Sequence, residues 1–173
     1  MKQSLNFGWL FTSNTSKNEE VNIPHNAVEV PYNYFSEKSY QDVFTYEKDF
    51  DVEGFNPNRV YIIDFEGFMF KAEISLNGNK LGTFTSGYLP VKIDVTKFIQ
   101  ARGNHLVVIL DSKEDQDYPP FGFAFDYITF SGIYREVYLE SHLKTYISNI
   151  YPHGDMNGKL DILYDVNGED EIK

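Results

Sequence analysis

The chain of 173 residues has room for one domain, or for one domain with a short extension. Its formal charge of −11 repels phosphate backbones and anionic lipid, so neither nucleic acid nor a membrane surface is expected as a partner. Because the chain has no cysteine, a disulfide framework and a thiolate metal site are excluded, whereas 42% hydrophobic residues make a buried core feasible.

The chain begins with a single Lys and then a polar run, where a secretory signal peptide would need an apolar core. No later stretch approaches the length of a membrane span. These two observations predict a cytoplasmic protein. Aromatic residues make up 17% of the chain, and this favours β-structure because aromatic side chains suit pleated, half-buried surfaces.

Alternation of apolar and polar residues then predicts a series of strands. Val43–Val52 places its aromatic residues on one face, as in a strand with one buried side. The stretch from Val60 is nearly continuous in apolar residues and predicts a central strand. Phe70–Leu76 alternates again, and Asn77-Gly78 follows at once; this dipeptide tolerates the positive φ angles of a type I′ turn and predicts a hairpin.

Three further strands are predicted later in the chain, at Val91–Val95, His105–Asp111 and Tyr134–Glu140. Between the first two, Lys97–Gly103 is predicted to form a single helical turn at most. Strands recur about every ten residues, which is typical of a β-sandwich or jelly roll. A parallel α/β fold is excluded because crossover helices are missing. The predicted fold class is therefore all-β.

The long stretch Ser112–Gly132 breaks this rhythm, and irregular stretches of such length are usually functional or disordered. Its many aromatic residues argue against disorder. Within it, Asp126 stands among Phe125, Tyr127 and Phe130. A carboxylate in such surroundings could accept hydrogen bonds from sugar hydroxyls while the rings pack on apolar sugar faces. It could equally cap a turn by bonding to its own backbone.

The end of the chain predicts two strands joined by a turn that contains glycine. In the second strand, alternating apolar residues form a face that no later residue can cover, namely Leu160, Ile162, Tyr164 and Val166. The pair is either an extra hairpin packed on the main domain or the start of a next domain, and a two-stranded piece is marginal alone. The second alternative is favoured, with residues 1–143 as the main domain and residues 144–173 as the start of the next.

Motifs for catalysis, metals and cofactors are missing from the sequence. The four histidines are scattered without a helical His pair, and neither a nucleophile elbow nor a glycine-rich phosphate loop is present. The cluster Glu114-Asp115 with Asp117 lacks the glycine turn and distal Glu of a calcium loop, so a solvated loop is the favoured interpretation. We therefore expect no metal, no cofactor and no catalytic residue in this chain.

Several motifs nevertheless occur in a recognisable order. They are Phe65-Glu66-Gly67, Asn77-Gly78 with Leu81-Gly82, Gly87-Tyr88, Asp94-Val95-Thr96 and Gly132-Ile133-Tyr134-Arg135-Glu136-Val137. Together they resemble the N-terminal sugar-binding domain of glycoside hydrolase family 2, which includes β-galactosidases and β-glucuronidases. The segment Ile23-Pro24-His25-Asn26 is similar to the family's Pro-His-Asp-Trp element and departs from it at Asn26 and Ala27. The aromatic residues before Gly132 look more like those of β-galactosidases.

This resemblance implies a jelly-roll domain of the galactose-binding type, followed in such enzymes by an immunoglobulin-like domain and a TIM barrel with the catalytic glutamates. The chain would then be the N-terminal fragment of a retaining β-glycosidase, without catalysis of its own. Its implied partner is a β-linked sugar, bound together with the missing catalytic domain. By motif register Asp126 would contact the terminal sugar, and a second contact would fall near Gln41 or Asp42.

Two alternatives stay open at this point: a free-standing carbohydrate-binding module and a protein-interaction domain, since one scaffold serves several functions. A homo-oligomeric parent protein is compatible with each of them.

Overall fold

The computed structural model describes residues 1–28, 41–113, 115–117 and 131–168. In this part of the chain twelve β-strands form, and no helix is present that could cross a membrane. In chain order the strands are β1 (Lys2–Ser4), β2 (Trp9–Thr12), β3 (Glu19–Val21), β4 (Val43–Phe50), β5 (Val60–Phe65), β6 (Lys71–Leu76), β7 (Asn79–Thr85), β8 (Val91–Asp94), β9 (Asn104–Asp111), β10 (Val137–His142), β11 (Tyr146–Gly154) and β12 (Leu160–Asn167).

Ten of these strands form two antiparallel sheets. One sheet has four strands in the order β1-β10-β5-β8, and the other has six in the order β3-β2-β4-β9-β6-β7. The buried side chains of both sheets belong to one hydrophobic cluster, so the sheets pack face to face around a shared core. The predicted all-β sandwich is confirmed.

The strand predictions from Val43 onward agree with the structure, because each rests on a buried face. In β4 the buried positions are Phe44, Tyr46 and Phe50, and neighbouring β9 alternates in the same way. Strand β5 lies between two other strands, as its continuous apolar sequence predicted. Full burial of each large apolar side chain contributes roughly 1.5–3 kcal/mol.

The predicted hairpin turn is also present. Asn77 and Gly78 have φ angles of +52° and +77°, and they connect β6 to the antiparallel β7. The Lys97 segment forms a single turn, in which the main-chain N–H groups of Phe98 and Ile99 both donate to Val95 O. The strand predicted from Tyr134 begins three residues later, at Val137.

Strands β1, β2 and β3 were missed, because the polar composition of the first twenty residues outweighed their pattern. The signal was present in Trp9 and Phe11, which are buried and alternate with Leu10 and Thr12. Strand β1 pairs with β10 and extends the smaller sheet.

The last two strands form a separate hairpin. Strands β11 and β12 pair only with each other among the described strands, with an irregularity between Ile147 and Asn149. The alternating face that we singled out in β12 is exposed, from 38% at Val166 to 60% at Leu160. None of its residues belongs to the core cluster of the sandwich. The division into residues 1–143 and 144–173 stays a prediction.

Candidate functional site

Several of the motifs meet at one end of the sandwich, where β4 begins and β9 ends. Val43 pairs with Asp111 there, so the residues just outside both strands are neighbours in space. We call this the loop end; it contains Asp42, Ser112, Met69 and the segment from Ser131 to Arg135. Asp126 lies outside the described residues, between Ser112 and Ser131 in the sequence.

Asp42 is held on three sides. The main-chain N–H of Val43 donates to Asp42 Oδ1 at 2.8 Å, and the Asn14 side-chain amide donates to Oδ2. The main-chain N–H of Ser112 donates to Asp42 O at 2.9 Å. All three donors are uncharged: two of them bind the carboxylate and the third binds the main-chain oxygen, so the described residues fix the direction of Asp42 without an ion pair.

Asp42 lines a cleft with a volume of about 350 Å³. Its lining residues among those described are Ser13, Asn14, Thr15, Ala27, Val28, Asp42 and Phe44. Hydroxyl, amide and carboxylate groups predominate among them, and no Lys or Arg is present. The volume lies in the range of small-molecule pockets, and such a lining suits a neutral ligand rich in hydroxyl groups. Gln41 is half-buried beside Asp42 but is not a lining residue.

One wall of the cleft is the turn between β2 and β3, which the sequence analysis missed. Ser13 Oγ accepts hydrogen bonds from the main-chain N–H groups of Thr15 (3.2 Å) and Ser16 (3.0 Å), and Ser13 N donates to Ser16 O at 2.7 Å. This serine-based turn holds Asn14 toward Asp42. The available signal was the Ser-Asn-Thr-Ser run directly after a buried aromatic strand.

The Pro-His segment is hydrogen-bonded to the segment from Ser131, which is part of the loop end. His25 N donates to Ile133 O at 2.8 Å, and Ala27 N donates to Ser131 O at 2.7 Å. Asn26 Oδ1 accepts from Ser131 N at 3.0 Å. Asn26, one of the two departures from the family's motif, therefore fixes the point where the chain returns to the sandwich.

Beside this contact, the buried Tyr46 and the half-buried His25 form an uncharged pair. Tyr46 Oη lies 2.9 Å from His25 Nδ1, so a hydrogen bond joins the two side chains. We assign the tyrosine hydroxyl as the donor and Nδ1 of the neutral histidine ring as the acceptor. Burial raises the pKa of Tyr46, and burial lowers the pKa of His25, so both side chains are neutral near pH 7.

A second group of motif residues packs beside the first. Tyr134 Oη donates to Gly87 O, and Arg135 Nη1 donates to Tyr88 O at 3.2 Å. A Cβ atom at Gly67 would lie 3.0 Å from Arg135 Cδ and from Tyr134 Oη, so both side chains pack closely against this glycine. The three motifs are thus parts of a single contact region.

A network of salt bridges lies on the outer face of the four-stranded sheet. Asp64 is 5% exposed, and its Oδ2 lies 3.4 Å from Lys92 Nζ, while Lys92 also lies 3.5 Å from Glu140. Within the described ranges, no cluster of His, Asp or Glu side chains is arranged to hold a metal ion.

Comparison with known proteins identifies similar sequences. The family model described as glycosyl hydrolase 2 galactose-binding domain-like matches residues 15–119. A β-galactosidase of Thermoanaerobacterium thermosulfurigenes is 41% identical over 134 residues, which are 76% of this chain and 19% of that protein. A β-galactosidase of Thermoanaerobacter pseudethanolicus is 37% identical over 152 residues, 86% of this chain and 20% of that protein. The chain therefore spans about a fifth of the length of these curated relatives.

Solved structures show the same fold. A β-glucuronidase from Ruminococcus gnavus, in complex with D-glucuronic acid, superposes with a TM-score of 0.83 at 18% identity, over 98% of this chain and 35% of that chain. A β-glucuronidase from an uncultured Clostridium species gives 0.82 at 21% identity, over 97% of this chain and 34% of that chain. At these identities the likeness concerns the fold alone, and it agrees with the predicted jelly roll of the galactose-binding type.

Proposed function

Because the chain belongs to the glycosyl hydrolase 2 galactose-binding domain-like family, we propose that it is the sugar-binding domain of a longer glycosidase. Its loop end contacts the terminal sugar of a β-galactoside, and this chain performs no catalysis itself. The observation that carries the proposal is the cleft at Asp42, where a carboxylate bound to uncharged donors faces hydroxyl and amide groups.

The chemistry of this cleft suits a neutral sugar. A carboxylate accepts charge-assisted hydrogen bonds from sugar hydroxyls, and a retaining glycosidase gains several kcal/mol from such bonds as they tighten in the transition state. A neighbouring domain can supply them without joining the covalent chemistry. The Asp42 carboxylate would repel the carboxylate of a glucuronide, so a galactoside is the better fit. We assign the second contact to Asp126, on the resemblance alone.

The test is a substitution in the complete glycosidase that contains this domain. Asp42→Asn keeps the size of the side chain but removes its charge, and kcat/KM for nitrophenyl β-D-galactoside is expected to fall about tenfold. Asp126→Ala is expected to lower kcat/KM as well. The matched control is Asp51→Asn, whose carboxylate also accepts a main-chain N–H, from Gly103 at 2.8 Å, but at the opposite end of the sandwich.

An unchanged kcat/KM in Asp42→Asn would remove Asp42 from the sugar contact. A stop codon directly after Lys173 in the gene would contradict the larger claim of a multidomain enzyme. The second candidate function is a self-sufficient carbohydrate-binding module, which is favoured by the polar groups and the volume of about 350 Å³ of the described cleft. Clear millimolar binding of galactose or lactose to the isolated chain, lost in Asp42→Asn, would support that alternative.

A further inference from the structure

Ser112 is a buried residue that connects the separate parts of the loop end. It follows β9 directly and is only 3% exposed. Its main-chain N–H donates to Asp42 O at 2.9 Å, and its side-chain Oγ donates to Met69 O at 2.6 Å. A buried hydroxyl without a hydrogen-bond partner would lower the free energy of unfolding by about 1–3 kcal/mol, and the hydrogen bond to Met69 O avoids this loss.

Met69 carries the connection onward to the other side of the loop end. Its main-chain N–H donates to Gly132 O at 3.1 Å, in an isolated antiparallel bridge. Ser112 and Gly132 are the two ends of the stretch that contains Asp126. Both ends are therefore bound to the main chain of the same residue, one through the serine hydroxyl and the other through the backbone.

A continuous chain of contacts results, from Asp42 through Ser112 and Met69 to Gly132. Two of its links are main-chain bonds that most residue types could make. The link from Ser112 Oγ to Met69 O is different, because it depends on one side-chain hydroxyl. Loss of this hydroxyl would release Ser112 from Met69 and so loosen the backbone segment whose N–H donates to Asp42 O.

We propose that Ser112 is a positioning residue: its hydroxyl fixes the backbone that holds Asp42, so it sets the place of the carboxylate relative to the sugar. This inference rests on the proposed function. It extends that function to a residue that does not line the cleft, and that acts only through Asp42.

The experiment compares two buried serines in the complete glycosidase. Ser112→Ala removes the hydroxyl and keeps the main-chain bond to Asp42. Ser141→Ala is the control, because Ser141 is also 3% exposed and its Oγ also has one partner, Arg59 Nη1 at 3.0 Å, but it lies in β10 away from the loop end. For each variant, kcat and KM for nitrophenyl β-D-galactoside are measured separately, together with the free energy of unfolding.

We expect Ser112→Ala to lower kcat/KM about threefold to tenfold, and to change kcat and KM in the same directions as Asp42→Asn. Ser141→Ala is expected to change kcat/KM less than about twofold, even where its loss of stability is equal. In an Asp42→Asn background, Ser112→Ala should have little further effect, because a residue that acts through Asp42 is not additive with it.

The outcomes separate this inference from the function on which it rests. If Asp42→Asn lowers kcat/KM and Ser112→Ala does not, or if the two effects are additive, the positioning role of Ser112 is wrong and the sugar contact stands. If Asp42→Asn has no effect, the contact itself is wrong and the inference falls with it. Equal effects of Ser112→Ala and Ser141→Ala would show a purely structural role for both serines.

Discussion

The loop end and the outer face of the four-stranded sheet differ in how their polar side chains are paired. At the loop end, uncharged groups of His25, Tyr46 and Asn26 bond to each other and to the main chain. On the outer face, charged groups pair across three strands, with Lys92 between Asp64 and Glu140. Asp64 already has a cationic partner, whereas the donors that bind Asp42 among the described residues are uncharged. A carboxylate held in this second way can still attract the hydroxyl groups of a ligand.

One group in each region, His25 at the loop end and Asp64 on the outer face, responds to pH in the opposite direction from the other, and burial is the main cause in both. Burial lowers the pKa of His25, which favours its neutral form in the folded protein. Burial raises the pKa of Asp64, and Lys92 offsets this only in part. Acid should therefore destabilise the loop end, whereas the ionisation of Asp64 should destabilise the outer face as the pH rises.

The largest effect is expected at Gly132, where the loop end is packed most tightly. Its φ angle is +102°, and a Cβ atom would lie 2.5 Å from Tyr46 Oη and 2.7 Å from His25 O. Gly132→Ala should lower the free energy of unfolding by about 3 kcal/mol, because backbone strain adds to a collision with fixed atoms. Urea unfolding, followed by circular dichroism, measures this change.

The control for this substitution is Gly103→Ala. Gly103 also has a positive φ, of +67°, but no atom lies within 4 Å of its Cβ position. Strain alone should cost it about 1 kcal/mol. Equal losses in the two variants would mean that the contacts around Gly132 are loose, and the loop end would no longer count as a rigid support.

A second, smaller effect is expected from Tyr46→Phe, which leaves His25 Nδ1 without its hydroxyl donor. At about pH 7.5 the substitution should cost about 2 kcal/mol of unfolding free energy. His25 is held neutral, so the wild type loses stability as the pH falls through and below about 6.5, the ordinary histidine value. In Tyr46→Phe the neutral ring has lost its hydrogen bond, and the difference from the wild type should shrink toward about pH 5.5.

Tyr61→Phe is the matched control for this pH effect. Tyr61 is 1% exposed, and its hydroxyl has two main-chain partners, Asn56 N at 2.8 Å and Asn56 O at 3.2 Å. No histidine is among them. Its loss of stability should be similar in size and constant over the same pH range, and a constant loss in Tyr46→Phe too would argue against a buried neutral His25.

Local patterns explain what could be predicted from the sequence. Strands such as β4 and the turn at Asn77-Gly78 follow from side-chain alternation and from backbone conformation, both of which are properties of adjacent residues. The contacts of the candidate site are different, because Asn14 and Asp42 are 28 residues apart, and Asn26 and Ser131 are 105 apart. Only the fold brings such pairs together. The resemblance indicated Asp42 as a candidate, but it gave no indication of Asn14 or Ser112.

The burial of Asp64 could not be predicted either, because it too depends on residues that are distant in the sequence. Within β5 it stands between Ile63 and Phe65, and a polar residue in such a run would ordinarily face solvent. In the structure its Oδ1 is buried without a hydrogen-bond partner among the described residues. The Lys92 side chain that covers it comes from β8, so its burial depends on strand order.

The smallest effect is expected from Asp64→Asn, within about 1 kcal/mol at any one pH. The folded-state pKa of Asp64 is raised, so its contribution to stability is fully present below the unfolded value near 3.8 and is lost as the pH rises through the folded value. Asp64→Asn has no such loss. Unfolding measurements from about pH 4 to 7 should therefore show the variant gaining stability relative to the wild type as the pH rises.

Glu140→Gln should show the reverse trend and so identify the cause. The pKa of Glu140 is lowered, because the burial that would raise it is outweighed by the His142 hydrogen bond at 3.0 Å and by Lys92. Its contribution is present above the unfolded value and is lost in acid, so Glu140→Gln should lose stability relative to the wild type as the pH rises from about 4 to 7. Trends of the same sign in both variants would mean that the charge of Lys92 shifts the pKa values of both carboxyl groups in the same direction. The outer face would then be a simple ion pair network, in which the burial of Asp64 has no separate effect.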